Sequence, residues 1–222
     1  MLIRQLIAAA ALSATLMEGA MDAGLPQMDV DGSVFLVNRQ NVIVQEYVPS
    51  IVEVEVSGQS RQMREDAARA LEEMFQAAKK ESKITLLSVS GYRSYSKQNL
   101  LHSNKIKSAG SLAKAEEYVA PPGASEHQLG LAMDIGGKGS TGLNGSFGKT
   151  KAGIWVRENA HRFGFIIRYQ QGWEEITGYN YEPWHVRYVG VEHATAMYEQ
   201  QIPMEEYIQS LQVKAILDIL EP

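Results

Sequence analysis

This 222-residue chain contains short apolar segments that favour β-strands and longer amphipathic segments that favour helices. The two kinds of segment occur in an irregular order along the chain. A doubly wound parallel sheet needs a helix after almost every strand, and this order does not supply one. The sequence therefore predicts an α+β fold, with a small, mostly antiparallel sheet flanked by helices. The predicted strands are 33–38, 84–89, 129–135, 165–169 and 184–189, and the predicted helices are 61–80, 95–106, 150–163 and two short helices split at Pro203.

The composition excludes several classes of function. The chain has no cysteine, so disulfides, Cys-based zinc sites and Cys nucleophiles are ruled out. Any metal ion must therefore be bound by His, Asp or Glu. The formal net charge is −5 and no basic block stands out, which argues against nucleic acid as a partner. The Gly-rich stretch at 136–149 ends in Gly148-Lys149-Thr150, but Leu143 occupies the place of the first glycine of a phosphate loop, so we expect no nucleotide.

The N-terminus predicts an export signal over residues 1–20. Arg4 precedes an apolar stretch that ends at Met17, and this stretch is too short to span a bilayer. A buried N-terminal helix is the alternative. We interpret 21–32 as a linker and 33–222 as one domain, and we expect a monomer without a stable membrane span. If the signal is real, the protein acts outside the cytoplasm.

Two segments concentrate residues that bind metals. His127 and Asp134 lie seven positions apart, and Glu182 and His185 lie three apart. Two imidazoles and one carboxylate form a common ligand set for catalytic zinc, with a fourth position left for water. A neighbouring carboxylate that does not bind the metal serves as general base. The sequence therefore predicts one zinc ion on His127, Asp134 and His185, with Glu182 as the base.

The backbone near these residues restricts how they can meet. Pro183 disfavours helical geometry at Glu182, and in a regular strand residues 182 and 185 would face opposite sides. We therefore predict a bend at Tyr181–Pro183. Within the predicted strand 129–135, Gly130, Ala132 and Asp134 share one face, where small side chains leave room beside the acid.

Five motifs in this order resemble the VanY-type D-alanyl-D-alanine carboxypeptidases, zinc peptidases that trim the stem peptides of bacterial peptidoglycan. The motifs are Ser90-Gly91-Tyr92-Arg93-Ser94, Ser125-x-His127-x-x-Gly130-x-Ala132-x-Asp134, Gly164-Phe165-x-x-Arg168-Tyr169, Thr177-Gly178-Tyr179 and Glu182-Pro183-Trp184-His185-x-Arg187-Tyr188. The resemblance covers roughly residues 33–200. It implies the α+β fold that these peptidases share with the hedgehog signalling domain, and it implies the same four-residue metal site.

The resemblance also implies roles in substrate binding. In similar enzymes, the residue at the position of Arg93 meets the substrate near the scissile carbonyl or the terminal carboxylate, where a guanidinium stabilises negative charge. The residues that match pocket-lining positions are Gln98, Ser125, Tyr169 and Trp184. A nucleophilic Ser125 is the rival hypothesis, but its nearest base, His127, is better used on the metal.

The implied reaction is release of a C-terminal D-alanine from a stem peptide, by D,D- or L,D-cleavage. A D,D-dipeptidase, a peptidoglycan endopeptidase and a non-catalytic zinc-containing module that binds wall peptide are the alternatives. The chain departs from many relatives at Gln170-Gln171-Gly172-Trp173, where they have Pro and a Lys-rich turn. This departure leaves open the charge and size preference on that side of the cleft.

Overall fold

The computed structural model describes residues 30–139 and 142–220, with side chains described up to residue 218. The expected export signal lies outside these residues. Among the described helices, none is both long enough and apolar enough to cross a bilayer.

The helices are α1 (Glu65–Ser82), α2 (Tyr95–Ala109), α3 (Leu112–Glu116), α4 (Lys151–Asn159), α5 (Glu174–Thr177), α6 (Val191–Gln200) and α7 (Met204–Leu220). The strands are β1 (Val52–Glu53), β2 (Gln62–Met63), β3 (Leu86–Ser90), β4 (Ala132–Gly137), β5 (Phe165–Tyr169) and β6 (Glu182–Tyr188), with 3₁₀ turns at Glu126–Leu129, Gly145–Lys149 and Ala160–Phe163.

The main sheet has four strands in the order β3-β4-β6-β5, and each neighbouring pair is antiparallel. Strands β1 and β2 form a separate antiparallel pair. This arrangement confirms the predicted α+β class. In the sheet, β4 and β6 are central neighbours, so residues on these two strands are held side by side by backbone hydrogen bonds.

Helix α1 covers the main sheet with an apolar face. Its buried residues recur at steps of three and four, which places them on one side of the helix. Glu65 and Asp66 in the first turn and Lys79 and Lys80 in the last turn complement the helix dipole. The sequence predicts a helix from residue 61, but the helix begins at Glu65, because Gln62–Met63 pairs with β1 instead.

Leu71, at the centre of this face, is fully buried. Leu71→Ala is expected to lower the free energy of unfolding by about 2–5 kcal/mol, because it removes buried methyl groups and leaves a cavity. Urea unfolding followed by circular dichroism measures this loss. Leu112→Ala, at a side chain that is 53% exposed, is the control and should change the free energy by less than about 0.5 kcal/mol. Equal effects of the two substitutions would contradict the packing described for α1.

The predicted strand at 33–38 is wrong. Residues 33–38 form no ladder with a neighbouring strand, although Val34, Leu36 and Val37 are buried. The carbonyls of Ser33 and Phe35 accept hydrogen bonds from the Arg187 guanidinium instead. An arginine side chain therefore satisfies backbone groups that a strand would satisfy by pairing.

The predicted strand at 129–135 begins later than expected. Residues 126–129 form a 3₁₀ turn, and Gly130 ends this turn with a φ of 72°. A left-handed residue at this point suits glycine, because it has no Cβ to clash. The strand starts at Ala132, so Gly130 does not belong to the strand face, and only Ala132 and Asp134 remain there.

The predicted helix at 150–163 is a helix with a 3₁₀ end. Thr150 accepts a hydrogen bond from the backbone N–H of Gly153, and Gly164 ends the segment in the left-handed conformation. Trp155, in its middle, packs in the main core. The last two helices are separated around Pro203 as the sequence predicts, although α7 extends over 17 residues.

Candidate active site

Two imidazoles and a carboxylate meet where β4 and β6 run side by side. Asp134 and His185 are direct partners in the β4–β6 ladder. His127 comes from the 3₁₀ turn that precedes β4. Asp134 Oδ1 lies 3.1 Å from His185 Nδ1 and 3.5 Å from His127 Nε2. One ligand atom from each of the three buried residues lies within 4.8 Å of the others, so this group could hold a metal ion.

The nitrogens that point away from Asp134 are also partnered. His127 Nδ1 lies 2.8 Å from the carbonyl oxygen of Gly91, and His185 Nε2 lies 3.1 Å from Glu126 Oε2. Both partners are acceptors, so each of these nitrogens carries the proton in the neutral ring. In the neutral rings, which metal binding requires, the facing nitrogens are Nε2 of His127 and Nδ1 of His185, and both offer lone pairs toward the same point as Asp134.

The charges around the imidazoles differ. Burial and the nearby Arg93 lower the pKa of His127, which favours its neutral form. Burial acts against protonation of His185 as well, but hydrogen bonds to Asp134 and Glu126 raise its pKa to about 9. Both rings hold Asp134 ionised, because they keep its pKa well below the usual range despite burial.

Glu182 lies beside this group without belonging to it. Its Oε2 is 4.0 Å from His185 Nδ1. Burial raises the pKa of Glu182 to about 8, and the neighbouring carboxylate of Asp134 adds to this increase, while His185 and Arg93 oppose it. A carboxyl group with a pKa near neutrality is suited to both accept and return a proton.

A bulge in β6 lets Glu182 and His185 reach the same cleft. Ile167 pairs with Val186 and Tyr169 pairs with Glu182, so three residues of β6 stand opposite one residue of β5. The extra residues break the alternation of side chains, which would otherwise send residues 182 and 185 to opposite faces. The sequence predicts a bend at Tyr181–Pro183; the irregularity lies at residues 183–185, inside the strand.

Arg93 follows the end of β3 and is held on three sides. Its Nη1 donates to Gln98 Oε1 at 2.8 Å, its Nη2 donates to Ser90 Oγ at 3.2 Å, and Nη2 lies 3.7 Å from Asp134 Oδ2. Gln98 is itself fixed, because its Nε2 donates to the carbonyl of Ala120 at 2.6 Å. The guanidinium is therefore preorganised next to the His–Asp–His group.

All of the predicted site residues line one cavity of about 400 Å³. Its lining includes Glu182, Arg93, Gln98, Ser125, His127, Asp134, Tyr169, Trp184 and His185. Leu143, Asn144 and Gly145 of the Gly-rich loop also line it, which places that loop at the rim. No residue of 170–173 is among the described residues of this lining, so the departure at that turn lies away from the cavity wall.

Glu126 is the residue that the sequence prediction missed. Its side chain is completely buried, with Oε1 accepting from Arg168 Nε at 2.8 Å and from Arg187 Nη1 at 2.9 Å. Burial would raise its pKa, but the two guanidinium groups hold the pKa well below the usual range. The signal was present in the sequence, since Glu126 precedes His127 directly and both arginines lie in the quoted motifs.

Three other histidines have partners elsewhere. His102 Nε2 lies 3.4 Å from Glu116 Oε1, and His193 Nδ1 lies 2.9 Å from the hydroxyl of Tyr207. His161 stacks on Tyr198, with ring centroids 3.8 Å apart. None of them belongs to the metal-competent group found among the described residues.

Comparison with known proteins identifies the family. Residues 60–191 match the VanY family of D-alanyl-D-alanine carboxypeptidases. The chain belongs to this family. As the motifs predict, this is a carboxypeptidase family that acts on the cell wall, and the chain shares the fold of its members. A D-alanyl-D-alanine carboxypeptidase of Enterococcus faecalis is 41% identical over 186 residues, which cover 79% of this chain and 65% of that protein.

Two solved structures extend the comparison for this VanY-family chain. The LdcB LD-carboxypeptidase, described in terms of peptidoglycan recognition, is 45% identical and superposes with a TM-score of 0.74, covering 79% of this chain and 86% of that one. A variant of the vancomycin resistance D,D-pentapeptidase VanY from the VanB-type cassette, in complex with Zn(II), is 38% identical with a TM-score of 0.69, covering 79% and 98%. The relatives thus include both D,D- and L,D-enzymes.

Proposed function

We propose that this chain is a zinc carboxypeptidase that releases a C-terminal D-alanine from peptidoglycan stem peptides. The observation that carries the proposal is the convergence of His127, Asp134 and His185 beside the buried, uncoordinated acid Glu182. The family match and the Zn(II) complex of a relative support it.

The residues fit a single zinc ion. Two nitrogen donors and one oxygen donor face one point, and their outer hydrogen bonds to Gly91 and Glu126 set the protonation that such ligands need. A three-ligand set leaves room for water and substrate. Zinc bound there would make water more acidic and polarise the scissile carbonyl.

The other steps belong to side chains of this chain. Glu182 accepts a proton from the attacking water, whose oxygen forms the new bond to the carbonyl carbon. When the carbon–nitrogen bond breaks, Glu182 returns this proton to the amine of the departing D-alanine. Arg93, held by Gln98 and Ser90, stabilises the negative charge of the substrate carboxylate or of the tetrahedral oxyanion.

The cavity walls supply the remaining contacts. We assign Gln98, Ser125, Tyr169 and Trp184 to substrate binding, because all four are buried and line the same cavity as the metal ligands. Burial raises the pKa of Tyr169 well above its ordinary value, so its phenol stays neutral. Ser125 serves as a polar wall and not as a nucleophile, since the neighbouring His127 faces Asp134 and Gly91.

The test is to incubate the zinc-loaded protein with tetrapeptide and pentapeptide stems and to identify the released amino acid by mass spectrometry. Shortening of the pentapeptide by one D-alanine indicates D,D-cleavage, and shortening of the tetrapeptide indicates L,D-cleavage. Release of a dipeptide, or cleavage within the stem, would instead assign a dipeptidase or an endopeptidase. Binding of the stems without any cleavage would point to a wall-peptide-binding module and overturn the proposal.

We also propose that the protein acts outside the cytoplasmic membrane, where its substrate lies, and that it works as a monomer. The export signal at residues 1–20 stays a prediction. Fractionation of cells that express the full chain tests the location, and sedimentation equilibrium tests the monomer.

Arg93→Lys tests the anion-binding role. It keeps the charge but loses the planar fork, so kcat/KM is expected to fall on the order of 10²-fold, as when a transition-state donor is removed. Steady-state kinetics and zinc content measure the two effects separately. Arg61→Lys, at an exposed ion pair with Glu53, is the matched control and should retain full activity. Unchanged kinetics in Arg93→Lys would remove this role.

A further inference from the structure

A continuous chain of ionic hydrogen bonds, buried except at its outer end on Glu205, joins the last helix to a metal-competent histidine. Glu205, in the first turn of α7, binds Arg168 in two places, with Nη1–Oε2 at 2.9 Å and Nη2–Oε1 at 2.6 Å. Arg168 Nε donates to Glu126 Oε1 at 2.8 Å. Glu126 Oε2 then lies 3.1 Å from His185 Nε2.

We propose that this chain is a positioning device, in which Glu205 acts through Arg168 and Glu126 to fix the ring of His185 for metal binding. The inference rests on the proposed zinc function. Glu205 lies beyond residues 60–191, the part of the chain that matches the family.

The geometry at His185 shows what has to be fixed. The ring must present Nδ1 toward Asp134, and rotation by half a turn about its Cβ–Cγ bond would remove Nδ1 from that point. Glu126 opposes this rotation, because its carboxylate accepts a hydrogen bond from the Nε2–H group and so selects the tautomer with a free Nδ1.

Glu126 is held in turn by fixed donors. Arg168 and Arg187 share its Oε1, and Arg187 is anchored at the carbonyls of Ser33 and Phe35. The planar guanidinium of Arg168 has its remaining nitrogens on Glu205, so its orientation depends on α7. Displacing Glu205 would therefore release one of the two donors that hold Glu126.

Stability alone is a weak explanation for this network. Two arginines and two glutamates balance in charge, yet desolvation of buried ions offsets most of their attraction, so apolar residues would often stabilise a core equally well. A network that ends on a metal-facing imidazole has a second effect, since outer partners of metal ligands commonly change metal affinity by about 10–100-fold.

The experiment compares zinc affinity in the full chain for the wild type, Glu126→Gln, Glu205→Gln and the control Glu206→Gln. Glu206 is exposed and lies next to Glu205 in the first turn of the same helix. Competition with a chelator should show a 10–100-fold loss for Glu126→Gln. It should show roughly a 2–30-fold loss for Glu205→Gln, the range of couplings carried through packed networks. The control should match the wild type.

Two further readouts separate positioning from folding. Urea unfolding of the apoproteins checks that each variant folds, and the absorption bands of the cobalt-substituted proteins report the geometry at the ligands. A folded Glu205→Gln with wild-type zinc affinity and an unchanged cobalt spectrum overturns the proposal. If Glu205→Gln does not fold, Glu205→Asp, which keeps the charge but shortens the reach to Arg168, replaces it in both measurements. Weaker zinc binding or a changed cobalt spectrum supports the proposal, and wild-type values of both overturn it. A wild type that binds no zinc refutes the proposed function itself.

Discussion

Glu182→Ala is expected to keep its zinc and to lose roughly 10²–10⁴-fold in kcat, the usual contribution of a positioned general base. The three metal-competent residues retain their positions in this variant, because Glu182 stands 4.0 Å from His185 and outside their group. What disappears is the buried carboxyl group, with its pKa of about 8, that accepts and returns the proton. Stopped assays with stem peptide and metal analysis by mass spectrometry measure the two quantities on the same sample.

Two comparisons sharpen this test. Glu182→Gln keeps the shape of the side chain but cannot accept the proton, so it should be as inactive as the alanine variant. Glu192→Ala, at an exposed position in the first turn of α6, is the control for loss of one negative charge and should remain active. Activity near the wild-type level in both Glu182 variants would remove the general-base assignment. Loss of zinc together with activity would instead move Glu182 into the ligand set.

Much of the framework is local and could be predicted from the sequence. The apolar period of α1, the Thr150 cap and the left-handed Gly164 each act within a few residues, so local sequence is enough to indicate where these helices lie. The sequence also predicts the metal-competent residues, because few residue types bind metals and this chain has no cysteine. Their meeting depends on the β4–β6 ladder, which composition does not reveal.

The misjudged features depend on partners far away in sequence. Residues 33–38 have the pattern of a strand, yet their carbonyls are taken by Arg187, 154 residues from Ser33. Glu126 is similar, because its two arginine partners come from β5 and β6. A single sequence shows that a Glu or an Arg is present, but burial in a network follows from the tertiary fold. The irregular step in β6 belongs to the same class, since Pro183 indicates a break without fixing which residues bulge.

His127→Ala is expected to weaken zinc binding by more than about 100-fold, since even removing an outer partner of a ligand costs 10–100-fold. The remaining pair, Asp134 and His185, lacks the third donor of a catalytic zinc site. The same substitution removes the hydrogen bond to Gly91 and leaves a buried space beside the metal position.

Thermal unfolding with and without zinc reports this loss independently of activity. A ligand that binds only the folded state raises the melting temperature by mass action, so the wild type should gain stability when zinc is added. The melting temperature of His127→Ala should rise very little at the same zinc concentration. His161→Ala removes an imidazole that stacks on Tyr198 outside the metal-competent group, and it should gain as much as the wild type. A full zinc-dependent shift in His127→Ala would mean that the metal is held without this imidazole, and the proposed ligand set would then have to be abandoned.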